Sequence, residues 1–152
     1  MINITAAWIG FALGAVSGAI PGLFFHRQDW LGGYTSWPRR LIRLGHISFF
    51  GISFLNLGLG LTGLALGIDP GVSSILMIVG AVMMPTVCYL SAFKPAFRHL
   101  FFIPAGAVLI SILLFIFNVD GASSSAVHPK PAPPAKIMEQ DAPSTFQKGA
   151  TP

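Results

Sequence analysis

The chain has 152 residues, of which 53% are hydrophobic and 9% charged, and its formal net charge is +4. Soluble domains carry about 25% charged residues, so this composition excludes an ordinary water-facing surface. The small positive excess is a topology signal and not a nucleic-acid footprint. The charges cluster and leave four charge-free stretches: Met1 to Phe25, Leu44 to Ile68, Pro70 to Phe93 and His99 to Val119. Each meets the roughly 20 residues that a helix needs to cross a hydrocarbon core. The alternating segments of about 10 residues that mark a membrane β-barrel do not occur. The expectation is an all-α integral membrane protein, a bundle of four transmembrane helices over residues 1–119. The helices are predicted over about 3–25, 37–67, 71–93 and 97–118. Residues 120–152 hold too little bulky apolar surface to fold and are expected to form a disordered, Pro-rich tail.

The first apolar run has no basic segment before it and is longer than a signal-peptide core, so it is expected to be a retained helix. Gly10, Gly14, Gly18 and Gly22 recur at every fourth position, which puts them on one face. Such a face lets helix backbones approach closely in a membrane. Two uses stay open, packing within this protein's own bundle and docking of a partner subunit. Pro21 is expected to kink the helix near its end.

The first connection contains Gly32-Gly33, a turn signal. Trp30, Tyr34 and Trp37 are amphipathic aromatics expected at headgroup level, with Arg39 and Arg43 as further interfacial anchors. Ser36 and Pro38 are placed to start the second helix as N-cap and first-turn proline.

Along the second helix, Arg39, Arg43, His46, Phe50 and Ser53 share one face. Asn56, Gly60, Gly63 and Gly67 extend that seam. The arginines are expected to snorkel to lipid phosphates. Ser53 and Asn56 are expected to hydrogen-bond to other helices, and Gly60 to belong to the helix-packing face. The stretch HRQDWLGGYTSWPRRLIRLGHISFFGISFLNLGLGL, residues 26 to 61, resembles a pattern of small bacterial inner-membrane proteins. The resemblance implies a bacterial inner-membrane location and lends no activity, ligand or catalytic residue.

In the third helix Pro85 predicts a kink, and Met77, Met83 and Met84 are expected to fill gaps. The single Cys88 is expected to act as a small packing residue. The fourth helix carries Pro104 in its early turns, then Ala105, Gly106 and Ala107 as a possible close contact.

Arg27, Arg39, Arg40 and Arg43 lie in or beside the first connection, and Lys94 and Arg98 in the third. The second connection, around Asp69, Pro70 and Gly71, has no basic residue. Basic residues in short loops mark the cytoplasmic side. The first and third connections are therefore expected in the cytoplasm and both termini outside.

No carboxylate falls within a predicted span, although intramembrane charge is what couples most pumps. Phosphate-binding loops, zinc spacings and nucleophile elbows are missing from the sequence. The expectation is a non-enzymatic accessory subunit in the lipid bilayer beside other membrane subunits, with no nucleic acid and no resident cofactor. An alternative rests on His26, His46 and His99, which all fall near the cytoplasmic ends of helices. His46 and His99 could hold haem b or a quinone in a small redox module. A small transporter or channel is a third possibility.

Overall fold

The structure, a computed structural model, describes residues 2–127, with side chains through residue 121. Four helices carry the fold: α1 (Ile2–Leu23), α2 (Trp37–Leu66), α3 (Val72–Phe93) and α4 (Phe102–Val127). All four are long and apolar enough to cross a membrane. The chain forms a bundle with α2 and α3 at its centre, α1 against α2 and α4 against α3. The expected Pro-rich tail lies for the most part outside the described residues.

The start of α2 follows from local chemistry. Ser36 is its N-cap and accepts from the Arg39 amide at 3.4 Å, while Pro38 occupies the first turn, where its missing N–H leaves no bond unmade. The same hydroxyl donates to the Leu31 carbonyl at 2.6 Å. It thereby ties the helix start to a short 3-10 segment, Trp30–Gly32. Leu31 has φ 54°, a left-handed conformation that costs a residue with a Cβ free energy. Its side chain packs on Leu41, Ile42 and Ala92, which holds it there. At the other end of α2, Gly67 closes the helix with φ +65°.

Pro21 and Pro85 both lie inside continuous helices and are buried. The fourth helix starts later than the expected residue 97. Lys94 is extended, as the residue before a proline prefers, and this ends α3. Pro104 cannot donate to Leu100, so α-helical bonding cannot run unbroken through this turn. Pro95–Phe101 instead forms a 3-10 segment, and α4 proper begins at Phe102. It then continues through Val127, past the Asp120 where composition suggested an end.

Two apolar clusters mark the core. Leu41, Ile42 and Ala92 join α2 to α3 near the first connection. Ile52, Leu59 and Met77 lie deeper, with Val108, Ile112 and Phe115 of α4 packed on them. Met77 is thus a packing residue, as expected. Cys88 is a buried free thiol, and a Cβ on Gly45 would fall 3.2 Å from its own Cβ.

Candidate functional site

Interhelical contacts are built from small residues facing larger ones. Gly10 lies under Ser53, Gly14 under Phe50 and Gly18 under His46. A Cβ on Gly14 would sit 2.8 Å from Phe50 Cε2, closer than real Cβ atoms approach. Gly60 reverses the arrangement, with α2 providing the glycine and Ile4 of α1 the side chain, 2.8 Å from a Cβ there. Three glycines of the α1 series therefore face α2, whereas a Cβ on Gly22 would meet nothing within 4 Å. The α3–α4 contact rests on Gly80 beneath Val108. Of Ala105, Gly106 and Ala107, the close contact expected on α4, Ala107 is buried, whereas Gly106 has nothing within 4 Å of its added Cβ.

A buried polar network joins α1, α2 and α3 toward the Asp69 end. Asn3 Nδ2 donates to Asn56 Oδ1 at 2.9 Å and to the Ser74 carbonyl at 3.3 Å. The Ser74 hydroxyl donates to Asn3 Oδ1. Asn56 Nδ2 donates in turn to the Ile52 carbonyl at 3.1 Å and the Met77 carbonyl at 3.4 Å. Beside it, Ser73 and Ser111 each donate to the other's carbonyl at 2.6 Å and pin α3 to α4. Asn56 is where the sequence placed an interhelical hydrogen bond. Asn3, Ser73, Ser74 and Ser111 were not singled out. The available signal was each one's position as a polar residue inside an otherwise apolar run. Ser53 is buried against Gly10, but among the described residues its hydroxyl makes no hydrogen bond to another helix, so it serves as a small packing residue and not as the interhelical link expected of it.

The opposite end is basic and aromatic. Arg39 is only 4% exposed, so it does not snorkel. Its guanidinium carbon lies 5.3 Å from the Phe25 ring centroid, 5.7 Å from Trp30 and 5.5 Å from Tyr34. Nη1 donates to the Gln28 carbonyl at 3.4 Å, and Nε is buried without a partner. Trp30 also stacks on Phe24 at 5.5 Å, which orients this aromatic wall. Arg43 lies 4.3 Å from the centre of the Tyr34 ring and donates to the Tyr34 carbonyl at 3.3 Å. Trp37 Nε1 donates to the Ser91 carbonyl at 3.0 Å, joining the start of α2 to the end of α3.

His26, His46 and His99 have separate settings. His46 is half-buried against α1, with Nδ1 2.9 Å from the Gly14 carbonyl and 3.4 Å from Ser17 Oγ. His99 is exposed on the 3-10 segment that packs against α3 and α4, with Arg98 Nε 3.4 Å from its Nε2. His26 is exposed beyond the end of α1. His46 is thus turned toward α1, whereas His99 lies on a segment packed against α3 and α4. Among the described residues, no group of three or more His, Cys, Asp or Glu side chains converges as a metal site would need.

Comparison with protein-family models, with curated proteins and with solved structures finds no match.

Proposed function

We propose that this protein is a non-enzymatic accessory subunit of a membrane complex, held in the bacterial inner membrane with its arginine-rich end in the cytoplasm. The observation that carries this reading is the use made of polar groups within the spans. Asn3, Asn56 and Ser74 bond to one another, and Ser73 bonds to Ser111. These groups serve as links between helices. A transporter or channel needs such groups to face a water-filled path. The orientation is supported by the basic residues of the first and third connections, Arg27, Arg40, Lys94 and Arg98 among them. The glycine face of α1 takes up α2 within the bundle, so a partner subunit would meet other surfaces.

The test is purification of the tagged protein from its native membranes in mild detergent, with native-gel sizing and a visible spectrum. The expected result is a colourless complex larger than the chain itself, with one membrane partner in fixed ratio that harsher detergent releases. A solitary chain carrying one haem per copy would overturn the proposal.

A further inference from the structure

A cleft of about 260 Å³ opens between α1 and α2 at the basic end, lined by Gly18, Pro21, Phe25, Arg43, His46 and Ile47. Because Gly18 has no side chain, the His46 ring lies directly on α1 and forms part of the wall. The 2.9 Å contact of His46 Nδ1 with the Gly14 carbonyl fixes the tautomer. A carbonyl can only accept, so Nδ1 carries a proton, and Nε2 is the ring nitrogen that can accept when the imidazole is neutral. The contacts of Arg43, the Tyr34 ring and the Tyr34 carbonyl, are both uncharged and leave its positive charge unneutralised. Phe25 separates the cleft from Arg39, a second cation whose Nε has no partner. The remaining walls, Pro21 and Ile47, are apolar, and Ile47 is 61% exposed on the outer surface of the bundle. The cleft thus joins a positive field and a hydrogen-bond acceptor to an apolar floor, at the depth where arginines mark the membrane interface.

We propose that this cleft binds one anionic phospholipid with a hydroxyl-bearing headgroup. Arg43 donates to the phosphate oxygens, His46 Nε2 accepts from a headgroup hydroxyl, and an acyl chain lies along Pro21 and Ile47. A zwitterionic headgroup would bring an ammonium into the field of Arg39 and Arg43, so it binds more weakly. Free phosphate offers the same anion but leaves the apolar walls uncovered. The site goes beyond the accessory-subunit reading and holds with or without a partner subunit.

Native mass spectrometry of the delipidated full-length protein tests this, with phosphatidylglycerol, phosphatidylcholine, phosphatidic acid and inorganic phosphate as separate titrants. The expected result is one saturable phosphatidylglycerol per chain, bound about tenfold more tightly than phosphatidylcholine. R43Q should weaken it about tenfold, because a charge-assisted contact is lost. I47W crowds the mouth from a lipid-facing position and should weaken it with helix content unchanged. R40Q removes an exposed charge that does not line the cleft and should leave binding intact. H46L should remove the preference for phosphatidylglycerol over phosphatidic acid. Equal losses in R40Q and R43Q would reduce the effect to diffuse charge and overturn the site. Binding of phosphatidylcholine as tight as that of phosphatidylglycerol would overturn it as well. Displacement of the lipid by millimolar inorganic phosphate would assign the anion to solution and overturn the lipid proposal.

Discussion

Arg39 sets the chemistry of the basic end at the scale of single residues. Isolating a cation from water without an opposing charge costs several kcal/mol, and the aromatic rings of Phe25, Trp30 and Tyr34 offset part of that cost. A desolvated cation–π contact contributes about 2 kcal/mol, an exposed one about 0.5–1 kcal/mol. Tyr34 serves both Arg39 and Arg43. Tyr34→Ala should therefore lower stability by about 1–2 kcal/mol, read as an earlier midpoint in detergent-denaturant unfolding followed by circular dichroism. An unchanged midpoint would show that the rings do not hold the arginines. The Asn3–Asn56 bond belongs to a different energy class. Interhelical hydrogen bonds in membranes average about 0.6 kcal/mol and reach about 1.7 kcal/mol. Asn56→Ala also leaves the Asn3 amide short of a partner, so its loss should fall near the upper figure, about 1.5 kcal/mol. The same unfolding titration measures it.

The α1–α2 contact is a matter of whole elements. Glycines at 10, 14 and 18 receive Ser53, Phe50 and His46 in turn, so along this stretch α2 supplies the side chains and α1 the glycines. Gly14→Leu or Gly18→Leu forces the backbones apart, and overpacking of this kind costs about 1–3 kcal/mol. Leu13→Phe and Val16→Leu change side chains that point out of the bundle, 50% and 60% exposed, and should be nearly neutral. Thermal aggregation in mild detergent ranks the four variants, and equal tolerance at all of them would contradict the packing. Gly80→Leu is expected to join the damaging set through Val108 of α4. Ser36→Ala should cost about 1 kcal/mol by removing the cap of α2.

The orientation of the whole molecule is tested by labelling. Cys88 is buried and is replaced by alanine to give a thiol-free background. Asp69→Cys and Gln28→Cys then sit at exposed positions in the second and first connections. A membrane-impermeant maleimide added to spheroplasts should modify the first variant, and the second only after permeabilisation. The reverse pattern would invert the topology. The protein should also stay in the membrane pellet through alkaline carbonate washing, because its four spans expose broad apolar faces such as Trp8, Ile20, Phe54 and Phe117.

Much of the fold was legible because its causes are local. Run length and hydropathy decide where a span lies, and Ser36 with Pro38 decides where α2 begins. The seam through His46, Phe50, Ser53 and Asn56 was visible from helical spacing alone. The delayed start of α4 was less so, because Pro104 acts on a turn that lies before it. The close approach of α4 to Gly80 had no local signal. The burial of Arg39, the pairing of Asn3 with Asn56 and the turning of His46 onto Gly14 also came only from tertiary structure. A helix that is apolar all round has no polar stripe to show which face turns inward. Its rotation is decided by where a glycine or an amide on a neighbouring helix lets another backbone come close. Sequence by itself determined the spans, the start of α2 and the charge asymmetry of the connections; the ends of α4, the mutual rotation of the helices and with it the chemistry of both ends were decided only when the four were packed together.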